Sequence, residues 1–232
     1  MPLDSQILGH GVYTPREVAR LIGESAQQIL RWTRGSGPTE PLWQGYYQFL
    51  DDSTELSFLD LVELRVVSSM RRAGVSLQSI RYAIHLAQEK FDITRPLSSR
   101  HFKTDGKELL MDAIENDGNL VSLSKRRPGQ KVFSEIVRTS LSDVEYESNI
   151  AARWRPSGHR SIVIDPRRRF GEPILDMYGI STSTIFAEFA ELKDINYLSS
   201  IYEIPPNTIG DCISYEGQLN RLLEAKDGQG PV

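Results

Sequence analysis

A chain of 232 residues with 39% hydrophobic and 25% charged side chains can bury a core as one large domain or two to three small ones, and its formal charge of −4 is too small to keep it unfolded. The opening MPLDSQILGHGVY has no basic start and no apolar core, no stretch approaches the roughly 18 apolar residues of a membrane helix, and one cysteine excludes an internal disulfide, so a cytoplasmic protein without a signal peptide is expected. The charge is uneven: residues 1–100 carry 11 lysines and arginines against 11 acids, residues 101–170 carry 13 against 10, and residues 171–232 carry 3 against 10. Phosphate would be repelled by the last third and tolerated by the first two, which implies two kinds of partner.

In chain order, the first readable element is YTPREVARLIGESAQQILRWTR at 13–34. Thr14 caps a helix, Pro15 suits its first position, and Glu17 completes an S/T-x-x-E box. Val18, Leu21 and Ile22 form one apolar face, Gly23 ends the helix, and Ser25 caps a second with Ile29, Leu30 and Trp32 inward. Gln27, Gln28, Arg31 and Arg34 are left outward, and Gln and Arg are the side chains whose paired donors and acceptors match base edges in the major groove. A plain helical hairpin with a solvated polar face fits the same pattern. PLWQGYYQFLDDSTELSF then predicts a two-stranded wing turning at Asp51–Thr54. Ser57 opens a helix from Phe58 to about Arg72 with Phe58, Leu61, Val62, Leu64 and Met70 in the core. Gly74 stops it, and Ser76 caps another helix to about Lys90. Arg65, Arg71, Arg72 and Arg81 follow one another without an intervening acid, either as a phosphate-contacting edge or as a solvated helix face.

The order helix, turn, helix, wing, helix and then Arg72-Ala-Gly-Val-Ser-Leu-Gln-Ser-Ile-Arg81 resembles the MerR-like winged-helix family over residues 12–90. The resemblance implies DNA contacts by Thr14, Arg16, Gln27, Gln28, Arg31, Arg34, Arg71, Arg72 and Arg81, with a homodimer reading paired half-sites. MerR-type sensors usually continue into a long coiled coil, whereas this helical pattern stops near Phe91.

Beyond it, Asp105-Gly106 between alternating segments predicts a hairpin over 101–111. Residues 119–124 read as a strand, 125–131 as a basic turn, 130–141 as a short helix, and 144–148 with 150–156 as a further hairpin. Ile162–Ile164 is a buried strand, Asp165-Pro166 a polar turn, and Ile174 marks a second short strand. Three helices complete the chain. Thr182 or Ser183 caps one carrying Ile185, Phe186, Phe189 and Leu192; Asp194 caps one carrying Ile195, Leu198 and Tyr202; Pro205-Pro206 starts one carrying Ile209, Ile213, Leu219 and Leu222.

Ile162, Asp165, Pro166, Gly171, Pro173 and Ile174, followed by three helices, resemble over residues 154–225 a small bacterial domain assigned to VapB-type antitoxins. The pairing with a MerR-like reader resembles the longer VapB-type antitoxins, and implies a PIN-like ribonuclease toxin as partner, operator DNA as ligand, and repression of the chain's own operon. A cationic side chain could block the acidic metal site of such a nuclease. Two sources offer one: the turn Arg167, Arg168 and Arg169, and Arg221 with Lys226 near the tail, the tail being preferred because a loose end can reach a cleft.

The expected fold class is α+β, mainly α: a MerR-like winged helix-turn-helix (1–92), a small β-hairpin-rich connecting region (93–156), and a β-hairpin plus trihelical, helix-turn-helix-like domain (157–232). The alternative function is a MerR-like transcription regulator with a C-terminal effector-sensing domain. His10, His85, His101, His159 and Cys212 have no metal-ligand spacing, and neither a glycine-rich phosphate loop nor G-x-S-x-G occurs. No enzyme activity, cofactor or metal is expected, and Cys212 is expected to fill apolar space.

Overall fold

The computed structural model describes residues 7–48, 53–106, 108 and 129–227, with the side chains of 129–134 and 223–227 left out. The strand expected at 119–124 and the tip of the expected wing, Asp51-Asp52, lie outside the described residues. The protein is α+β and mainly helical. Helix α1 spans Pro15–Ile22, α2 Ala26–Arg34, α3 Phe58–Arg72, α4 Leu77–Phe91 and α5 Gly129–Leu141. Five strands follow: β1 Val144–Glu147, β2 Ile150–Trp154, β3 Ile162–Ile164, β4 Pro173–Leu175 and β5 Ile180–Ser181. Helices α6 Thr182–Leu192, α7 Ile195–Tyr202 and α8 Pro206–Asp227 close the chain. The sheet takes its strands in chain order, β1-β2-β3-β4-β5.

Two compact units emerge, and neither is contiguous in sequence. One is formed by residues 1–30, 46–58 and 153–232, the other by 31–45 and 59–152. The first unit takes segments from both ends of the chain, with the first of the helices named above packed on the last.

In the first unit, α8 packs against α6, α7 and α1. Strand β3 is buried along its whole length, which explains why Ile162, Val163 and Ile164 are all apolar rather than alternating. It pairs antiparallel with β4 in the register Ile162↔Leu175, Val163↔Ile174 and Ile164↔Pro173. The pyrrolidine of Pro173 sits at the first position of its strand, where a missing N–H is tolerated. Helix α6 is capped at Ser181, one residue earlier than the expected Thr182 or Ser183. Thr182 is instead buried inside the first turn, where its hydroxyl bonds to Glu216. Two of the apolar residues that these helices carry, Leu192 and Leu222, are exposed.

The expected wing is not a strand pair among the described residues. Leu56 makes an isolated antiparallel bridge to Tyr13 instead, with N···O distances of 2.8 and 2.9 Å. Sequence periodicity saw the β-prone residues there but not the partner, which comes from before α1.

In the second unit the expected hairpin at Asp105-Gly106 is a helix: residues 100–106 are helical. The Ser99 hydroxyl accepts from the Phe102 N–H at 3.1 Å, a helix cap, and Phe102 is fully buried. Cap and burial together override the local turn preference of Asp-Gly. The two-residue turn is found at Ser148-Asn149 between β1 and β2, where φ is +47° and +68°, positive at both positions as a primed hairpin turn requires. Helix α5 begins at Gly129, inside the expected basic turn, and otherwise follows the expected 130–141.

Candidate nucleic-acid and protein interfaces

The helix pair at the start of the chain has the local chemistry its residues dictate. Thr14 accepts from the Glu17 N–H at 3.2 Å while the Glu17 carboxylate accepts from the Thr14 N–H at 2.7 Å, so the capping box is complete. Gly23 takes the left-handed conformation, φ +69°, and its N–H returns to the Ala19 carbonyl. Ser25 accepts from the Gln28 N–H at 3.1 Å and starts α2. Val18, Leu21, Ile22, Ile29 and Trp32 are buried, whereas Leu30 is half-buried. Among the expected DNA contacts, Thr14, Arg16, Gln27 and Arg31 are exposed, and Gln28 and Arg34 are half-buried. Gln27, Arg31 and Arg34 recur at i, i+4 and i+7 on α2, so one helix face carries all three. Thr14 is committed to its cap, which leaves its hydroxyl an organising role there.

The four arginines of the second unit do different things. Arg65, read with them as a possible phosphate edge, is turned onto Asp143, which accepts from both guanidinium ends at 2.6 and 3.0 Å. Arg71 donates to the Val75 carbonyl at 2.6 Å just beyond α3, and Arg81 donates to the Glu40 carbonyl. Both therefore also brace the turns beside them. Arg71 and Arg72 are exposed, and Arg81 is half-buried.

The same unit holds a buried ionic cluster that the sequence pattern did not signal. Arg95 contacts Asp60 at 2.7 Å and Glu63 at 2.9 Å, and the Trp43 indole N–H donates to Asp60 at 2.8 Å. Burial raises the Glu63 carboxyl from its ordinary 4.5 to about 7, against the pull of Arg95 and with a further push from Asp60. Two buried acids share one arginine, so the cluster is best balanced with a proton on Glu63. Nearby, Arg100, Lys103, Thr104, Val144, Glu145 and Tyr146 line an open cleft. Lys103 donates to the Val144 carbonyl at 3.2 Å and lies 5.0 Å over the Tyr146 ring. Its ammonium is held below its usual range chiefly by burial.

The arginine turn after β3 belongs to the first unit and is tightly built. The Asp165 carboxylate accepts from the Arg167 N–H at 3.0 Å, and its carbonyl accepts from the Arg168 N–H at 2.9 Å. Arg168 grips Asp176 through its side chain and its carbonyl, both at 2.6 Å, and Arg155 takes the other carboxylate oxygen at 2.7 Å. Burial works to raise the Asp176 carboxyl, but the hydrogen bonds and charges of Arg155 and Arg168 outweigh it and hold the group below its usual range. Arg169 donates from Nε to the Gly179 carbonyl at 3.0 Å, and Arg167 lies 3.5 Å from Asp165. Arg221 is exposed near the end of the described side chains of α8. Helix α8 continues through Asp227, so Lys226 lies within a helix rather than in a loose tail; its side chain is outside the described set.

Three contacts missed by sequence reading hold α1 to the closing module. The Tyr13 hydroxyl donates to the Gly171 carbonyl at 2.9 Å, the Val12 N–H donates to the Phe170 carbonyl at 2.8 Å, and Arg20 bonds the buried carboxylate of Glu216 and the Asn220 side chain. Gly171 has φ +91°, and a Cβ there would stand 2.0 Å from the Tyr13 hydroxyl oxygen, so only glycine fits. Burial holds the Tyr13 phenol well above its usual range, so it stays a donor. His159 is nearly buried between Asp211, 2.7 Å from Nδ1, and Gln218, 3.0 Å from Nε2. Cys212 is buried as expected, donates to the Thr182 carbonyl at 3.3 Å, and burial pushes its thiol up to about 12. Among the described residues no group of acids, histidines and cysteine could hold a metal ion, and no helix is long and apolar enough to cross a membrane.

Comparison with known proteins agrees with the resemblance to VapB-type antitoxins. The chain is 29% identical over 221 residues, 87% of its length and 92% of the relative's, to the Mycobacterium tuberculosis protein named "Putative antitoxin VapB45". It is also similar to the crystal structure of Rv2018 from the same organism, with a TM-score of 0.69 and 26% identity over 87% of this chain and 96% of that one. No family model matches the chain.

Proposed function

We propose that this protein is the antitoxin of a toxin–antitoxin pair, acting in the cytoplasm as a homodimer. It binds and neutralises a PIN-like ribonuclease toxin, and it represses its own operon through a MerR-like helix-turn-helix reader. The observation that carries this reading is the similarity to the VapB45 relative along 87% of the chain. The charge distribution supports a division of labour. Residues 171–232 carry 3 cations against 10 acids and suit protein rather than DNA, whereas α2 offers Gln27, Gln28, Arg31 and Arg34.

In this account Arg31 and the two glutamines read base edges, while Arg16, Arg34, Arg71, Arg72 and Arg81 hold phosphates and Thr14 orders the start of α1. The cationic plug for the toxin's acidic metal site is Arg221, with Lys226 on the following turns of α8. Arginine suits that role because its planar fork meets carboxylates bidentately. Arg167, Arg168 and Arg169 are the second candidates, but Arg168 is already spent on Asp176 and Arg169 on Gly179. Co-expression with the product of the adjacent gene, followed by pull-down and a growth-rescue assay, tests the function. Co-purification with restored growth is expected. Failure of both overturns it.

A further inference from the structure

Helices α6 and α7 carry a face that the fold does not use. Leu192, Tyr197 and Ile201 are 47%, 52% and 53% exposed, whereas Leu198 on the other side of α7 is fully buried. Tyr197 and Ile201 stand one turn apart on α7, and Leu192 ends α6 three residues before α7 begins. Single exposed apolar side chains are ordinary; three within ten residues, all large, are the composition of an interface core. The helices are not loosely attached. Asp194 caps α7 by accepting from the N–H groups of Asn196 and Tyr197 at 2.9 and 3.0 Å, and the Tyr202 hydroxyl bonds Glu188 across to α6.

The charges around these side chains select the occupant. Glu188, Glu191, Asp194 and Glu203 are countered only by Lys193 between residues 185 and 204. A second copy of this face would bring like charges together, which opposes self-association. Nucleic acid is repelled for the same reason. A basic protein surface with an apolar centre is complementary in both respects. A ribonuclease must carry a basic surface, because it has to hold a polyanion.

We propose that the outward face of α6–α7 docks on the basic, RNA-holding surface of the toxin, with Tyr197 and Ile201 as anchors and Glu191 among the charges that stand in for RNA phosphates. This rests on the antitoxin reading above and adds a second contact, separate from Arg221. It makes inhibition competitive with RNA as well as with metal.

The test is a titration of the purified adjacent-gene product by fluorescence anisotropy at low and moderate salt, with wild type and the variant Glu191→Lys/Tyr197→Ala/Ile201→Ser. All three positions are exposed or solvent-facing, and circular dichroism checks that the variant is folded. The variant is expected to bind at least tenfold more weakly, with a shallower salt dependence, and a short RNA is expected to compete with wild type. Wild-type affinity in the folded variant overturns this inference and leaves the antitoxin reading standing. If wild type itself does not bind, both fall. Sedimentation that shows a wild-type dimer reduced to monomer by the triple variant assigns the face to a second copy and also overturns the inference.

Discussion

The opening helix pair α1–α2 and the closing trio α6–α8 are built by the same local rules and present opposite surfaces. Both use side-chain caps, Thr14 in one and Asp194 in the other, and both end helices on left-handed residues, Gly23 in one and Lys193 and Glu203 in the other. Yet α1–α2 offers Arg16, Gln27 and Arg31, while α6–α7 offers Leu192, Tyr197, Ile201 and acids. Helices built by the same local rules can therefore present different chemistry, and in the proposed reading it is the outer-face residues that choose the ligand. Helices α1 and α8 are joined inside one unit, since Arg20 of α1 bonds Glu216 of α8.

The largest effect is expected at that joint. Arg20→Ala leaves the buried carboxylate of Glu216 without its cation, with only the Thr182 hydroxyl still donating to it, and should cost about 3 kcal/mol of stability in a denaturant titration. A loss under 1 kcal/mol would mean that apolar packing and the Val12 and Tyr13 hydrogen bonds, rather than the Arg20–Glu216 pair, hold the opening and closing helices together.

Gly171→Ala comes next. It forces a side chain into a left-handed backbone and against the Tyr13 hydroxyl, and should cost roughly 2–3 kcal/mol by thermal or chemical unfolding. Tyr13→Phe, which removes only the hydrogen bond, should cost about 1 kcal/mol. Equal losses in the two variants would show that the close approach of Tyr13 is not what fixes glycine there.

On the binding side, Arg31→Ala should weaken operator binding by about 1–3 kcal/mol and relax the preference at one position, as an electrophoretic shift series on operator variants would show. Unchanged affinity would erase the contrast between the two outer faces.

The smallest effect concerns pH. Because folding raises the Glu63 carboxyl from 4.5 to about 7, the native state keeps a proton that the unfolded chain loses between those values. Its contribution to stability is full below pH 4.5 and declines as pH rises through about 7. Glu63→Gln should flatten that decline in denaturation curves taken at pH 5 and pH 8; an unchanged slope would assign the pH dependence to other groups.

Local signals were legible in the sequence where they were sufficient. The capping box at Thr14, the stop at Gly23, the caps at Ser76 and Asp194, and the strands around Ile162 and Ile174 all stand where spacing placed them. Signals failed where burial, a competing cap or a distant partner decides. Asp105-Gly106 is helical because Ser99 caps the run and Phe102 is buried. Leu56 pairs with Tyr13 rather than within a wing. Arg65 reaches Asp143 across 78 residues, and Tyr13 reaches Gly171 across 158, distances over which periodicity carries no information. Leu192 belongs to the apolar set of its helix and is exposed in the fold, because a 3.6-residue period groups apolar residues without saying what covers them. Among the candidate site residues, helix position was legible, but the prior commitments of Arg65 and Arg168 were not.

In the proposed function, operator reading and toxin neutralisation reside on different surfaces. Truncation must respect the fold: removal from residue 219 would take away buried Leu219 and the Asn220 partner of Arg20, so the cut belongs after Leu222. The direct measurement is a paired assay of growth rescue and operator binding on full-length protein, on Arg31→Ala, and on residues 1–222 carrying Arg221→Ala, which lack both proposed plug cations. Arg31→Ala is expected to lose operator affinity and still restore growth, whereas the truncated variant is expected to keep operator affinity and rescue less. Loss of rescue and of operator binding together in Arg31→Ala, with the protein folded, would contradict that separation.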